Sequence, residues 1–298
     1  MGSNITAQRL LDASLAPNTV RVYTNAIKAL RQFCLFHHKT FSLPIDVDTL
    51  SQFIVHLCNQ QISHSSITTY LSAIAHEHKM HGLQSPTNAF IIHKLLTGYR
   101  RLSGHTHDTR RPITVNLLES IVNSLQHVCY DTYECLLFSA AFNITFFALL
   151  RISEVAVSSH LSLGYALRFT DVTMLHDKVC ITIRQSKTDQ VGKSTKLCVS
   201  SYAKHTICPV HTMKQYLCAR PNTTNPILFC HKNGASLSQF QFSSVLAKSL
   251  THLGIYEHYS SHSFRIGAAT TAANRGVPHH LIQKWGRWSS DAYKRYIR

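Results

Sequence analysis

The chain has 298 residues, 44% of them hydrophobic, which is enough for two ordinary domains with their own cores and argues against wholesale disorder. Lys and Arg number 30 against 14 Asp and Glu, a formal charge of +16 with His neutral, so the expected partner is a polyanion, nucleic acid before an anionic membrane surface. Residues 136–150, the most apolar stretch, are too few to span a bilayer and include Asn143 and Thr145, and no segment has the basic amphipathic pattern of a membrane-surface helix.

The charge is spread along the chain rather than gathered in a tail. Residues 1–111 hold 11 basic and 5 acidic side chains, and the remainder holds 19 and 9. Nine cysteines, odd in number and without framework spacing, read as reduced, buried or incidental thiols. The opening MGSNITAQRLLDAS has no charged segment followed by an apolar core, so an intracellular protein is expected.

In chain order, Pro17 can open a helix along which Val20, Tyr23, Ile27, Leu30 and Phe33 recur at helical spacing. A second helix is predicted from Asp48 through Leu57, a third after residues 63–66 with Tyr70, Leu71 and Ile74 on one face, and a fourth over 88–99 ending in Arg100 and Arg101. Residues 1–103 therefore read as a helical bundle. The polar, basic stretch SGHTHDTRRP, which contains Arg110 and Arg111, places a linker at 104–111, and a second domain follows over 112–298. That domain opens with helices over 115–125 and 133–150. Alternation at Val179, Ile181 and Ile183, the turn-rich QVGKS and then KLCV predict a hairpin, to which 168–174 adds a third strand. Helical patterning resumes after Cys208-Pro209. The expected fold is mainly α with a small antiparallel β-sheet.

Three segments carry candidate chemistry. Arg151 follows directly on the buried apolar run, with Glu154 three residues on. RQSKT, containing Lys187, lies at the hairpin, where Lys193 and Lys196 compete for the same role. The C-terminal run places His262 and Arg265 on one face of a helix that Gly276 stops. Pro278 starts the next helix, Gly286 stops it, and Ser289 or Ser290 caps a last helix bearing Tyr293 and Tyr296. The helix-Gly-Val-Pro-helix stretch also suits a helix-turn-helix, though without an evident base-reading face. His205, Cys208, His211, Cys218, Cys230 and His231 lack paired zinc spacing.

The order arginine, hairpin lysine, His-x-x-Arg, Trp and Tyr resembles the catalytic set of the tyrosine recombinase (integrase) family. It covers most of residues 145–298, and the first half is more loosely similar to that family's core-binding domain through Thr19, Tyr23 and Phe33. The wording GRWSSDAYKRYIR is most similar to recombinases of eukaryotic mobile elements, the DIRS-like and Crypton-like groups, which implies a nuclear location. The resemblance implies that Arg151 and Arg265 clamp a phosphate, that His262 and Trp288 donate to it, and that Glu154 supports Arg151. Lys187 would protonate the leaving oxygen, and Tyr296, with Tyr293 as its rival, would be the nucleophile. Arg100, Arg101, Arg110 and Arg111 would contact double-stranded DNA. No metal or other cofactor is implied. Self-association on DNA, as a tetramer in a synaptic complex, is implied too; many relatives continue past the tyrosine into a helix that docks on a neighbour, so the expectation is that either this sequence is truncated or another surface serves. Two rivals remain: a type IB topoisomerase-like enzyme, and a DNA-binding protein that has lost activity.

Overall fold

A computed structural model of the chain describes residues 6, 7, 9–11, 13–104, 108–158, 165–185 and 194–298. The fold is mostly helical with one small antiparallel sheet, and it divides into two compact units, Met1–Asp108 and Thr109–Arg298.

The first unit contains α1 (Pro17–Phe36), α2 (Val47–Asn59), α3 (His64–Met80) and α4 (Phe90–Leu102). Pro17 sits in the first turn of α1, where its missing N–H costs nothing. Asp46 and Ser63 cap α2 and α3, accepting from Thr49 N at 2.7 Å and Ser66 N at 3.2 Å. Residues three and four apart then meet in a core of Leu30, Phe33, Leu50, Phe53, Ile54, Ile67, Leu71, Ile74 and Ile92. His78 is wholly buried. Its Nε2 accepts from Ile45 N at 3.0 Å, which leaves Nδ1–H to donate to Ile74 O at 2.7 Å. Val20, placed on the inner face by its spacing, is instead exposed. The fourth helix is displaced from its predicted span because Ser85 caps a separate 3₁₀ turn, Pro86–Asn88, ahead of it.

The second unit contains α5 (Val115–Val128), α6 (Thr132–Phe147), α7 (Ile152–Val155), α8 (Pro209–Ala219), α9 (Gln239–His252), α10 (Ser261–Asn274), α11 (His279–Gly286) and a final 3₁₀ helix, Asp291–Tyr296. Helix α6 is apolar around its whole circumference and sits at the centre, packed against α5, α8 and α10. Gly267 lets α10 lie on the chain at Ile113, whose carbonyl a Cβ would overlap; Ile113 N donates to Ser263 O there. Residues 263–270 are buried by this packing.

The sheet has the order β1-β2-β3, from β1 (Val172–Met174), β2 (Lys178–Ile183) and β3 (Thr195–Ser200), all antiparallel. Val179, Ile181 and Ile183 face the core, as their alternation predicts. The expectation of reduced thiols is corrected here, because Cys180 and Cys198 form a disulfide. The register pairs them directly across β2 and β3, Cα atoms 4.1 Å apart. Ser201 N donates to Asp177 O, so alternation along the ladder makes 180/198 a non-hydrogen-bonded pair, where side chains stand closest. Only the register brings these two cysteines together.

Candidate active site

The apolar helix α6 is shorter than its pattern suggests. It ends at Phe147, and Leu149 takes a left-handed conformation, φ 47°, turning the chain so that Leu150 N returns to Thr145 O. Arg151 therefore does not end α6; it occupies the N-cap position of α7. Glu154, 1% exposed, folds back onto it. Its Oε2 accepts from Arg151 N at 2.8 Å, and its Oε1 lies 3.3 Å from Arg151 Nη1.

Arg265 comes to the same place from the first turns of α10 and is itself only 1% exposed. Its Nη1 donates to Leu149 O and its Nη2 to Gly286 O at 2.8 Å, so the guanidinium joins the end of α6 to the end of α11. The Trp288 ring lies 4.3 Å from its central carbon and the Tyr296 ring 5.7 Å. That arrangement depends on Gly286, where a Cβ would overlap the Trp288 ring. Burial pulls the Arg265 guanidinium down to about 9, assisted by the charges of Arg151 and Arg287 and opposed by Glu154. At neutral pH it still carries its charge.

Tyr296 is half-buried, its ring centroid 5.0 Å from that of Trp288 and 6.3 Å from that of His262. Its carbonyl accepts from Thr270 Oγ1 at 3.2 Å, which ties the end of the 3₁₀ helix to α10. Tyr293 is more deeply buried and faces His279, with a ring separation of 5.7 Å. The expected last helix is this 3₁₀ helix, and of the two candidate caps it is Ser290 that accepts, from Ala292 N. Arg151, Glu154, His262, Arg265, Trp288 and Tyr296 are thus brought into one cluster. Lys187 and its rival Lys193 lie outside the described residues, and Lys196 is exposed on β3. Arg100 and Arg101 are exposed at the end of α4, in the first unit. Arg111 is exposed and Arg110 half-buried in the second unit, where Arg111 N donates to His258 O.

One participant escaped the sequence reading. Arg287 follows Gly286 in a left-handed conformation, φ 56°, and its side chain is 7% exposed. Its Nη2 lies 2.7 Å from Glu154 Oε2 and 3.3 Å from Leu149 O. An arginine just past a helix end usually reaches solvent, and its partner here is 133 residues away, so no local pattern announces it. Burial lowers the Arg287 guanidinium, with Glu154 opposing. Arg151 and Arg287 both contact the Glu154 carboxylate and Arg265 lies beside them on Leu149 O, so among the described residues three guanidiniums stand against one carboxylate, a surplus of two positive charges in a mostly buried pocket. That arrangement favours a bound anion with several oxygens. Among the described residues, no group of three His, Cys, Asp or Glu is placed to hold a metal, and no helix is long and apolar enough to cross a membrane. His205 and His211 meet edge to face.

Residues 113–298 match the phage integrase family, and residues 6–77 match the phage integrase SAM-like domain. The chain belongs to the phage integrase family, the tyrosine-type DNA recombinases. It is 23% identical over 304 residues to the integrase/recombinase xerD homolog of Selenomonas ruminantium, covering 99% of this chain and 85% of that one. Its fold is similar to that of the XerH site-specific recombinase in a post-cleavage complex on palindromic difH substrate: TM-score 0.65, 17% identity, 93% of this chain and 75% of that one. The Tn1549 transposon integrase with a circular intermediate DNA gives 0.68 at 13% identity, over 98% and 93% of the two chains. A lambda integrase tetramer on a Holliday junction gives 0.64 at 11% identity, over 98% and 74%.

Proposed function

We propose that this chain cuts and rejoins duplex DNA at specific sites through a covalent 3′-phosphotyrosine on Tyr296. The observation that carries this reading is the buried Arg265 guanidinium with the Tyr296 ring beside it, in a pocket whose described residues hold two surplus positive charges. Tyr296 Oη gives up its proton to solvent as it attacks the phosphorus, the 5′-oxygen leaves with its bonding electrons, and Lys187 gives that oxygen a proton. Arg151 and Arg265 hold the non-bridging oxygens, on which negative charge gathers in the transition state, with His262 and Trp288 as further donors. Attack by a 5′-hydroxyl on the phosphotyrosine reverses the step, so the phosphoryl bond is conserved and rejoining needs no ATP. None of these roles calls for a metal or other cofactor.

The first unit serves as a core-binding domain, joined through residues 104–111 to the catalytic domain, and the two clamp the duplex. The basic residues in both halves, Arg100, Arg101, Arg110 and Arg111 among them, support this. Protomers assemble on DNA, and the chain acts in recombination or integration of a mobile element. The wording GRWSSDAYKRYIR supports an element of the DIRS-like or Crypton-like kind and hence a nuclear site of action.

The test is tyrosine-specific. On a nicked duplex selected from a randomised pool for binding to the chain, Tyr296→Phe is expected to bind with unchanged affinity and salt dependence but to form no covalent adduct. Tyr293→Phe is expected to retain the adduct. An adduct mapped by mass spectrometry to Tyr293 overturns the assignment of the nucleophile. Binding without any adduct in the unsubstituted chain overturns the enzymatic reading in favour of a silent DNA-binding protein.

A further inference from the structure

Arg287 carries two independent oddities. Its backbone is left-handed, at a helix-terminal position where glycine or asparagine is the usual occupant. A non-glycine residue there costs on the order of 1 kcal/mol, so the arginine is kept for its side chain at the expense of its backbone. That side chain is then buried, although a long cation one residue past a helix end has ready access to water. The placement sets Nη2 within hydrogen-bonding distance of Glu154 Oε2 and Leu149 O, with Nη1 3.3 Å from Trp285 O.

The value of that placement follows from what Glu154 would do without it. The carboxylate is fixed by the Arg151 backbone N–H and lies beside Arg151 Nη1. Left with its full charge it would compete with any anion for Arg151 and repel that anion from the pocket. Arg287 neutralises it from the side of α11, where Gly286 O also receives Arg265.

We propose that Arg287 is a positioning residue that neutralises Glu154, so that the Arg151 and Arg265 guanidiniums remain available to the scissile phosphate. This rests on the recombinase reading above. It assigns Arg287 no contact with substrate; its effect passes through Glu154.

The sign of a second substitution tests it. Arg287→Gly suits the left-handed backbone and removes the charge. It is expected to slow adduct formation on the selected nicked duplex by about 10- to 100-fold, the range seen when a residue orienting another ligand is lost. Adding Glu154→Gln removes the uncovered carboxylate while keeping an acceptor for Arg151 N, and restores the surplus of two positive charges. The double variant is therefore expected to be faster than Arg287→Gly alone, whereas a purely structural role predicts a rate no better than the single variant. A glycine variant as fast as the unsubstituted chain, or a double variant no faster than the single one, overturns the inference. If thermal melting shows that Arg287→Gly does not fold, Arg287→Lys decides. It keeps the charge, so a loss under tenfold supports the inference and a larger loss overturns it. Absence of adduct in the unsubstituted chain defeats the recombinase reading itself, which separates the two failures.

Discussion

At the scale of single residues, Arg265, Glu154 and Arg287 in the candidate site are held by bonds to the backbone. Arg265 spans the carbonyls of Leu149 and Gly286 with two nitrogens and packs under Trp288. A planar fork can do this while still facing a phosphate; an ammonium, as a point donor on a flexible stem, cannot. Arg265→Lys is therefore expected to rescue poorly, and Arg265→Ala to lower the rate of adduct formation by roughly 10²-fold or more, the loss typical of a preorganised transition-state donor. The measurement is single-turnover adduct formation beside a thermal melt. A lysine variant that is folded and equally fast would remove the bidentate role. An alanine variant that unfolds would mark the arginine as structural.

At the scale of elements, helix ends fix the site and the bundle alike. Asp46 caps α2 by accepting from Thr49 N, and that bond holds its carboxyl below the ordinary carboxylate value. Because the folded value is the lower one, the cap's contribution is present above the unfolded carboxylate range and is lost as pH falls through the folded value. Asp46→Ala is expected to destabilise the bundle by about 0.5–2 kcal/mol at neutral pH, and the gap between the two proteins is expected to narrow as the solution is acidified below that range. Thermal melts across pH read this directly; a gap that widens on acidification contradicts it. The end of α6 shows the same logic differently: the left-handed Leu149 turns a carbonyl towards two arginines instead of along the helix axis.

At the scale of the whole molecule, charge is the property that counts. The first unit holds 9 Lys and Arg against 5 Asp and Glu, and the second 21 against 9, so neither is neutral. A chain that meets duplex DNA with both units neutralises many phosphates, and log affinity is expected to fall with log salt at a slope of roughly −0.9 per phosphate. Titrations of the full chain at several salt concentrations measure that slope. A value near zero would remove DNA as the main partner. Neutralising the exposed pair Arg100 and Arg101 is expected to make the slope shallower, without affecting the cluster around Arg265.

The sequence by itself determined what depends on local period and composition. The helices of the first unit follow from apolar residues at three- and four-residue steps, α6 from its predominantly apolar run, and β2 from alternation, because each pattern needs only its own segment to bury a face. The types and order of Arg151, His262, Arg265, Trp288 and Tyr296 were legible for the same reason: they lie in short motifs. The tertiary structure alone decided what depends on partners far apart in the chain. Arg287 meets Glu154 across 133 residues, Arg265 meets Leu149 across 116, and Cys180 meets Cys198 only because the strand register sets them opposite. A solvated arginine and a buried one read alike in sequence, since the difference lies in whether packing of α10 and α11 brings a carboxylate and a carbonyl within reach. Leu149 is the sharpest instance. Nothing in an apolar run marks where its helix stops, yet the turn at that leucine is what aims a backbone carbonyl into the arginine cluster.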